Sequence, residues 1–181
     1  MSTAPALRPT RVRAISGREF LLRPIVPDDA PRLIEAFLRC DPEDRRLRFF
    51  SSIRELSEGQ AARLAHIDPD HEMVLVAIEP AVDPEAIVGV VHLVNDAIGG
   101  AAEIGIIVRS DLKRMGLGHL LMQAILDYAA ARGIPQVSGH VLAENRTMLQ
   151  MARELGATIT RDGDDFTVMR VLFDLVPREP R

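Results

Sequence analysis

The sequence has a single cysteine, Cys40, so the chain cannot form an intramolecular disulfide. One cysteine also fails every paired-cysteine spacing typical of zinc sites, so we expect no metal and a chain suited to a reducing compartment. Cys40 lies in a run of apolar residues at helical spacing. This pattern predicts a buried side chain rather than a nucleophile.

The sequence also lacks a strong charge of either sign and any long apolar run. It has 26 acidic and 22 basic residues, a net charge of −4, with no basic tract, which argues against a nucleic-acid partner. No apolar stretch is long enough to cross a membrane, and the N-terminus has no apolar signal core. We therefore expect a cytoplasmic protein, as a monomer or weak dimer, with no membrane partner.

Length and local composition predict one domain flanked by two tails. The chain has 181 residues, enough for one substantial core. Residues 1–10 are rich in Ala, Pro, Ser and Thr, and residues 176–181 contain two prolines and three charges, so both tails are predicted to be disordered. The domain is expected to span residues 11–175, since residues 12–175 contain no internal repeat and no linker.

The most informative stretch runs from Glu103 to Gly133 and reads as strand, glycine turn and helix. An apolar, β-branched run over 103–109 predicts a strand, and apolar residues at helical spacing after Gly116 and Gly118 predict a long helix. Main-chain N–H groups at such a helix start favour an anion. The stretch is not a P-loop, because no Gly-Lys-Ser/Thr follows, and Leu121 replaces the third glycine of a dinucleotide-binding fingerprint.

The whole pattern predicts an α/β (α+β) fold with a mixed, mostly antiparallel sheet of about seven strands and helices on both faces. Strand patterns occur at 12–25 (two pieces around Ser16-Gly17), 71–79, 87–94, 103–109, 137–142, 157–161 and 165–175. Three helical pieces are expected between residues 28 and 66, the last opened by a Ser57–Gln60 capping box, and one at 145–155. The short connection at 95–100 predicts antiparallel neighbours on either side.

The glycine turn resembles the acetyl-CoA motif of the GNAT superfamily of N-acetyltransferases. That motif is Gln or Arg, two residues, Gly, one residue, then Gly or Ala; here Lys113 occupies its first position and Gly116 and Gly118 its glycine positions. The order of elements over residues 12–175 also resembles the GNAT fold. Within the superfamily, the chain resembles the catalytic domain of bacterial Pat-type protein lysine acetyltransferases at Arg48-Phe49-Phe50, 67–73, Glu103, 108–113, Asn145-Arg146 and Leu155-Gly156. Those enzymes usually carry a large extra domain, for which we expect no room in 181 residues.

This resemblance implies acetyl-CoA as cosubstrate. Main-chain N–H groups of the glycine turn would hold the pyrophosphate, and the pantetheine arm would lie along an exposed edge of the 103–109 strand like an added strand. The resemblance adds Asn145, which could equally be a simple helix N-cap. The expected cofactor-binding residues are Ile107, Val108, Lys113, Arg114, Met115, Gly116, Leu117, Gly118, His119 and Asn145.

The acceptor amine must lose a proton before it attacks the thioester. At pH 7 only about one lysine in 2,500 is neutral, which costs about 4.6 kcal/mol, so a nearby base is expected. Glu103 is the carboxylate of an otherwise apolar strand, and Pat-type enzymes place their glutamate base here; by itself it could be a solvent-facing charge. We expect Glu103 to be a general base whose pKa is raised by burial, with His140 as the next candidate.

One position departs from the superfamily. Many GNAT enzymes have a tyrosine seven residues after the asparagine as general acid for the leaving thiolate, whereas Ala152 stands there. Pat-type domains resemble this chain in lacking that tyrosine. Tyr128, the only tyrosine, lies on the apolar stripe of its helix and is predicted to be packing.

The sequence leaves the acceptor open. By resemblance it is a lysine of a protein such as an AMP-forming acyl-CoA synthetase. A small amine and a non-catalytic acyl-CoA sensor are the alternatives. An acidic pocket from the 28–66 helices would favour a small amine, but that region mixes acidic residues with five arginines at 39–54.

Overall fold

A computed structural model of the chain describes residues 7–95, 101–163 and 165–175. Its eight strands form one sheet in the order β1-β2-β3-β4-β5-β6-β8-β7, and every neighbouring pair is antiparallel except β5 and β6. The strands are β1 Thr10–Arg13, β2 Glu19–Pro24, β3 Glu72–Glu79, β4 Asp83–Val94, β5 Ala102–Val108, β6 Gln136–Leu142, β7 Thr158–Asp162 and β8 Asp165–Asp174.

The sheet has one strand more than expected. The two extended pieces around Ser16-Gly17 pair with each other as a hairpin, Thr10 opposite Leu22 and Arg13 opposite Glu19. Each therefore counts as a strand. β1 begins at Thr10, and Leu7 packs against the core, so the fold starts before the predicted boundary at residue 11. Residues 1–6, 96–100, 164 and 176–181, which include most of both expected tails and the 95–100 connection, lie outside the described residues.

Helices cover both faces of the sheet, as predicted. They are α1 Ala30–Leu38, α2 Pro42–Phe49, α3 Glu58–Ala65, α4 Leu117–Ala131 and α5 Arg146–Glu154, with short 3-10 turns at Pro27–Asp29 and Ser110–Leu112. α4 and α5 pack over the larger apolar core, and α1 and α3 over a smaller one. No helix in the described ranges is long and apolar enough to cross a membrane.

Local sequence rules set several helix ends. The N–H of Gln60 donates to the Ser57 hydroxyl (3.2 Å), which confirms the predicted capping box at the start of α3. Asn145 accepts from the N–H of Met148 (3.1 Å) and caps α5. Cys40 is buried as predicted, and burial raises the pKa of its thiol to about 11, so the thiol is not a nucleophile at neutral pH.

The feature that creates the site is the divergence of β5 and β6. β5 pairs with β4 from Glu103 to Val108, but with β6 only at Ala102 and Glu103. β6 instead pairs with β8 over its full length, 136–142. The two central strands therefore separate after residue 103 and leave one edge of β5 open.

Candidate active site

A cavity of about 820 Å³ occupies the gap between β5 and β6, walled also by α2, the 110–119 turn and α5. The predicted site residues that line it are Glu103, Ile107, Val108, Lys113, Arg114, Gly116, Gly118, His119 and Asn145. The remaining two, Met115 and Leu117, do not line it. Leu117 is fully buried in the core, because its side chain belongs to the apolar stripe of α4.

The open edge of β5 offers main-chain groups at alternate residues. The N–H of Arg109 donates to the carbonyl of Val88 on β4 (3.0 Å), so by antiparallel alternation Ile107 and Gly105 also face β4. The main-chain groups of Ile104, Ile106 and Val108 then face the gap. We therefore replace Ile107 by Ile106 as the expected main-chain partner of the pantetheine arm; Ile107 contributes only a side chain to the wall.

Two glycines shape the turn at the start of α4. Gly116 has φ +88°, a backbone conformation that favours glycine, and a Cβ there would lie 3.0 Å from a side-chain carbon of Ile15. A Cβ on Gly118 would lie 3.2 Å from the sulfur of Met151, a residue of α5 in the cavity wall. A side chain at 118 would therefore enter the space between the start of α4 and α5, both of which line the cavity.

The charged side chains near the turn differ in whether they already have an ion-pair partner. The Lys113 ammonium forms an ion pair with Asp44 of α2, and the Ser110 hydroxyl donates to the same carboxylate (2.5 Å). His119 pairs with Glu154 of α5 (2.7 Å). Arg114 is exposed and forms no ion pair within the described part of the chain. Arg114 is thus the cation at the turn most available to a phosphate.

Glu103 lies at the closed end of the gap, where β5 last contacts β6. Its side chain is exposed in the cavity wall, so the expectation of a buried carboxylate is wrong. The geometry nevertheless places a carboxylate at one end of the open edge and the glycine turn at the other. A carboxylate is a group that can take a proton from an attacking amine.

The other candidates for acid–base roles have structural contacts. Tyr128 is buried under the Arg132 guanidinium (5.9 Å from the ring centre), which confirms its packing role. Ala152 is fully buried in the core. His140 lines the cavity, but its Nε2 lies 3.3 Å from an Asp162 carboxylate oxygen.

The sequence analysis gave no structural role to Arg48. Its guanidinium lies against Gly105 of β5 and stacks over the Phe49 ring, 4.9 Å from the ring centre. The glycine was the available clue, because a glycine inside a strand often marks the close approach of another group. His92, opposite Gly105 on β4, was also missed; it contacts Glu72 (3.3 Å) outside the main cavity.

Known acetyltransferases are similar to this chain in sequence. The family model for the acetyltransferase (GNAT) domain matches residues 19–158. An acetyltransferase of Pseudomonas aeruginosa is 30% identical over 151 residues, 83% of this chain and 81% of the relative. The acetyltransferase Pat of Mycolicibacterium smegmatis is 27% identical over 98% of this chain, which spans only 54% of that relative.

Among solved structures, the GNAT domain of S. lividans PAT superposes with a TM-score of 0.83 at 25% identity, over 92% of this chain and 96% of that domain. The family model covers most of the sheet and the whole glycine turn. The chain therefore belongs to the GNAT family of acetyltransferases, whose acetyl donor is acetyl-CoA.

Proposed function

We propose that this acetyltransferase transfers the acetyl group of acetyl-CoA to the ε-amino group of a lysine on a protein, with Glu103 as general base. The acceptor class that the resemblance to Pat implies is an AMP-forming acyl-CoA synthetase. The supporting observation is the position of Glu103 at the closed end of the gap, with the open edge of β5 leading from it to the glycine turn.

In this proposal the chain binds the cosubstrate in two places. N–H groups of residues 114–119 hold the pyrophosphate with Arg114, and the main chain of Ile106 and Val108 holds the pantetheine arm. Because Lys113 is paired with Asp44, it contributes less charge there than the motif suggests. Bound acetyl-CoA supplies the thioester.

Glu103 removes the proton of the acceptor ammonium, and the neutral amine forms the new C–N bond to the acetyl carbon as the C–S bond breaks. No protein acid is assigned to the leaving thiolate, because alanine at 152 has no proton to donate and Tyr128 packs in the core. The attacking nitrogen then loses its second proton to become the amide, and this proton passes through water to the leaving thiolate or to solvent.

The charges of α2 favour a protein lysine over a polyamine. Glu43 and Asp44 are engaged by Arg46 and Lys113 respectively. The other cavity-wall residues from α2 and its C-cap are Leu47, Arg48, Phe49 and Phe50, one cation and three apolar side chains. A polyamine carries several positive charges and would need several free carboxylates, whereas Glu103 stands here beside a cation.

Target choice is therefore expected to depend on a protein surface. We predict that purified AMP-forming acyl-CoA synthetase is acetylated at its catalytic lysine, located by mass spectrometry, with a higher kcat/KM than free lysine or spermidine. The matched control is the synthetase with that lysine changed to arginine, which should not be acetylated. Faster turnover of spermidine or free lysine would support a small-amine enzyme, and acetyl-CoA binding without transfer to any amine would support a sensor.

A further inference from the structure

The Arg48 guanidinium has two close neighbours. It lines the cavity, where it lies over the Phe49 ring and against Gly105 of β5. A Cβ at Gly105 would overlap the guanidinium, so the absence of a side chain in the middle of β5 creates the space that Arg48 fills.

Arg48 nevertheless has no hydrogen-bond or ion-pair partner among the described residues. Its neighbours differ: Arg46 pairs with Glu43 (2.7 Å) and Glu144 (3.0 Å), and Lys113 pairs with Asp44. Burial lowers the pKa of Arg48 despite the attraction of Glu103. A partly desolvated guanidinium with unused donors is suited to bind an oxygen atom of a ligand in the cavity.

The positions of Arg48 and Glu103 along β5 indicate which oxygen atom of a ligand Arg48 binds. Glu103 and Gly105 lie on the same face of β5, so their Cα atoms are about 6.8 Å apart, and the Arg48 guanidinium lies against Gly105. The extended side chain of lysine places its ε-nitrogen roughly 6 to 7 Å from its own main-chain carbonyl group. An α-amino group, by contrast, is only about 3 Å from its own carbonyl oxygen and does not span the distance.

We propose that Arg48 binds the main-chain carbonyl oxygen of the acceptor lysine while Glu103 receives its ε-amino group. This proposal rests on the proposed function and deepens it. Because the two side chains bind opposite ends of the acceptor, they select a lysine side chain over a chain N-terminus or a short diamine. Arg48 is then a specificity-determining residue at the acceptor site.

The test compares two amines that differ at the carbonyl group. Nα-acetyl-lysine N-methylamide carries the main-chain carbonyl, and n-pentylamine has the same amine and stem without it. We expect the wild type to prefer the lysine derivative by about 10- to 100-fold in kcat/KM, the usual worth of a hydrogen bond to a charged group. In Arg48→Met the preference should fall to about 1.

Two further variants separate recognition from folding. Gly105→Ala keeps the arginine but displaces the end of its flexible side chain, and it should lose the same preference. Arg54→Met removes an exposed arginine that does not line the cavity, and it should keep the full preference. The thermal shift produced by acetyl-CoA should be the same in all three variants and the wild type.

An Arg48→Met enzyme that keeps the preference would overturn the proposal, as would a wild type that acetylates the two amines equally or neither. These outcomes differ from failure of the proposed function. If the synthetase is acetylated but the preference is absent, only the role of Arg48 falls. If the preference is present but no folded protein is acetylated, the protein acceptor falls.

Discussion

Glu103→Gln is expected to lower kcat at pH 7 by about 10²- to 10⁴-fold, the usual contribution of general-base catalysis. Glutamine keeps the shape and hydrogen bonding of the side chain but does not accept the proton. The acceptor lysine must then be deprotonated by solvent, against about 4.6 kcal/mol at pH 7. Steady-state kinetics with a saturating acceptor and acetyl-CoA measures the loss.

Two features distinguish this loss from general damage. The loss should shrink as the pH rises, because solvent then deprotonates the amine without help. Acetyl-CoA affinity should be nearly unchanged, since Glu103 lies at the closed end of the gap, away from the glycine turn. Glu55→Gln, an exposed glutamate outside the cavity, is the matched control and should have wild-type kinetics.

A Glu103→Gln enzyme with the wild-type rate and the same pH dependence would show that the base is another residue or water. His140 would then be the next residue to replace, because it lines the same cavity. Its contact with Asp162 would have to break or transmit the proton.

Gly118→Val should abolish stabilisation of the fold by acetyl-CoA. In the wild type, ligand at about 100 times its Kd adds roughly 2.7 kcal/mol to the free energy of unfolding, which a thermal melt detects as a higher Tm. A valine at 118 places its branched carbon near Met151, between the start of α4 and α5. The side chain then fills the space through which the pyrophosphate reaches the main-chain N–H groups.

Gly59→Val is the control for the exchange itself, because a Cβ at this position of α3 meets no atom within 4 Å. It should keep the full thermal shift. If Gly118→Val binds acetyl-CoA as tightly as the wild type, the glycine turn is only a structural element. A wild type whose Tm does not respond to saturating acetyl-CoA would reject the cofactor site in the gap altogether.

Local patterns were sufficient to predict most elements of the fold. The Ser57–Gln60 capping box, the Asn145 cap and the apolar stripe of α4 each depend on residues within one or two turns. The glycine turn could be predicted in the same way, because its positive φ depends on one residue, Gly116. Such features act over short distances along the chain, and sequence periodicity reports them directly.

The site depends instead on contacts between distant residues. The gap exists because β6 pairs with β8, residues 136–142 with 168–174. These strands are too far apart in the sequence for a local pattern to predict their pairing. The Lys113–Asp44 ion pair joins residues 69 apart and changes which cation is free at the turn. The exposure of the Glu103 side chain and the position of the Arg48 guanidinium against Gly105 also depend on how α2 packs against β5. The pattern of apolar residues does not determine that packing.

Determining the structure of this chain with bound acetyl-CoA would test most directly whether the gap between β5 and β6 is the site of transfer. We predict that the pyrophosphate contacts the N–H groups of residues 114–119, that the pantetheine arm bonds to the main chain of Ile106 and Val108, and that the thioester lies beside Glu103. A cosubstrate bound outside the gap, or one whose thioester points away from Glu103, would contradict this assignment.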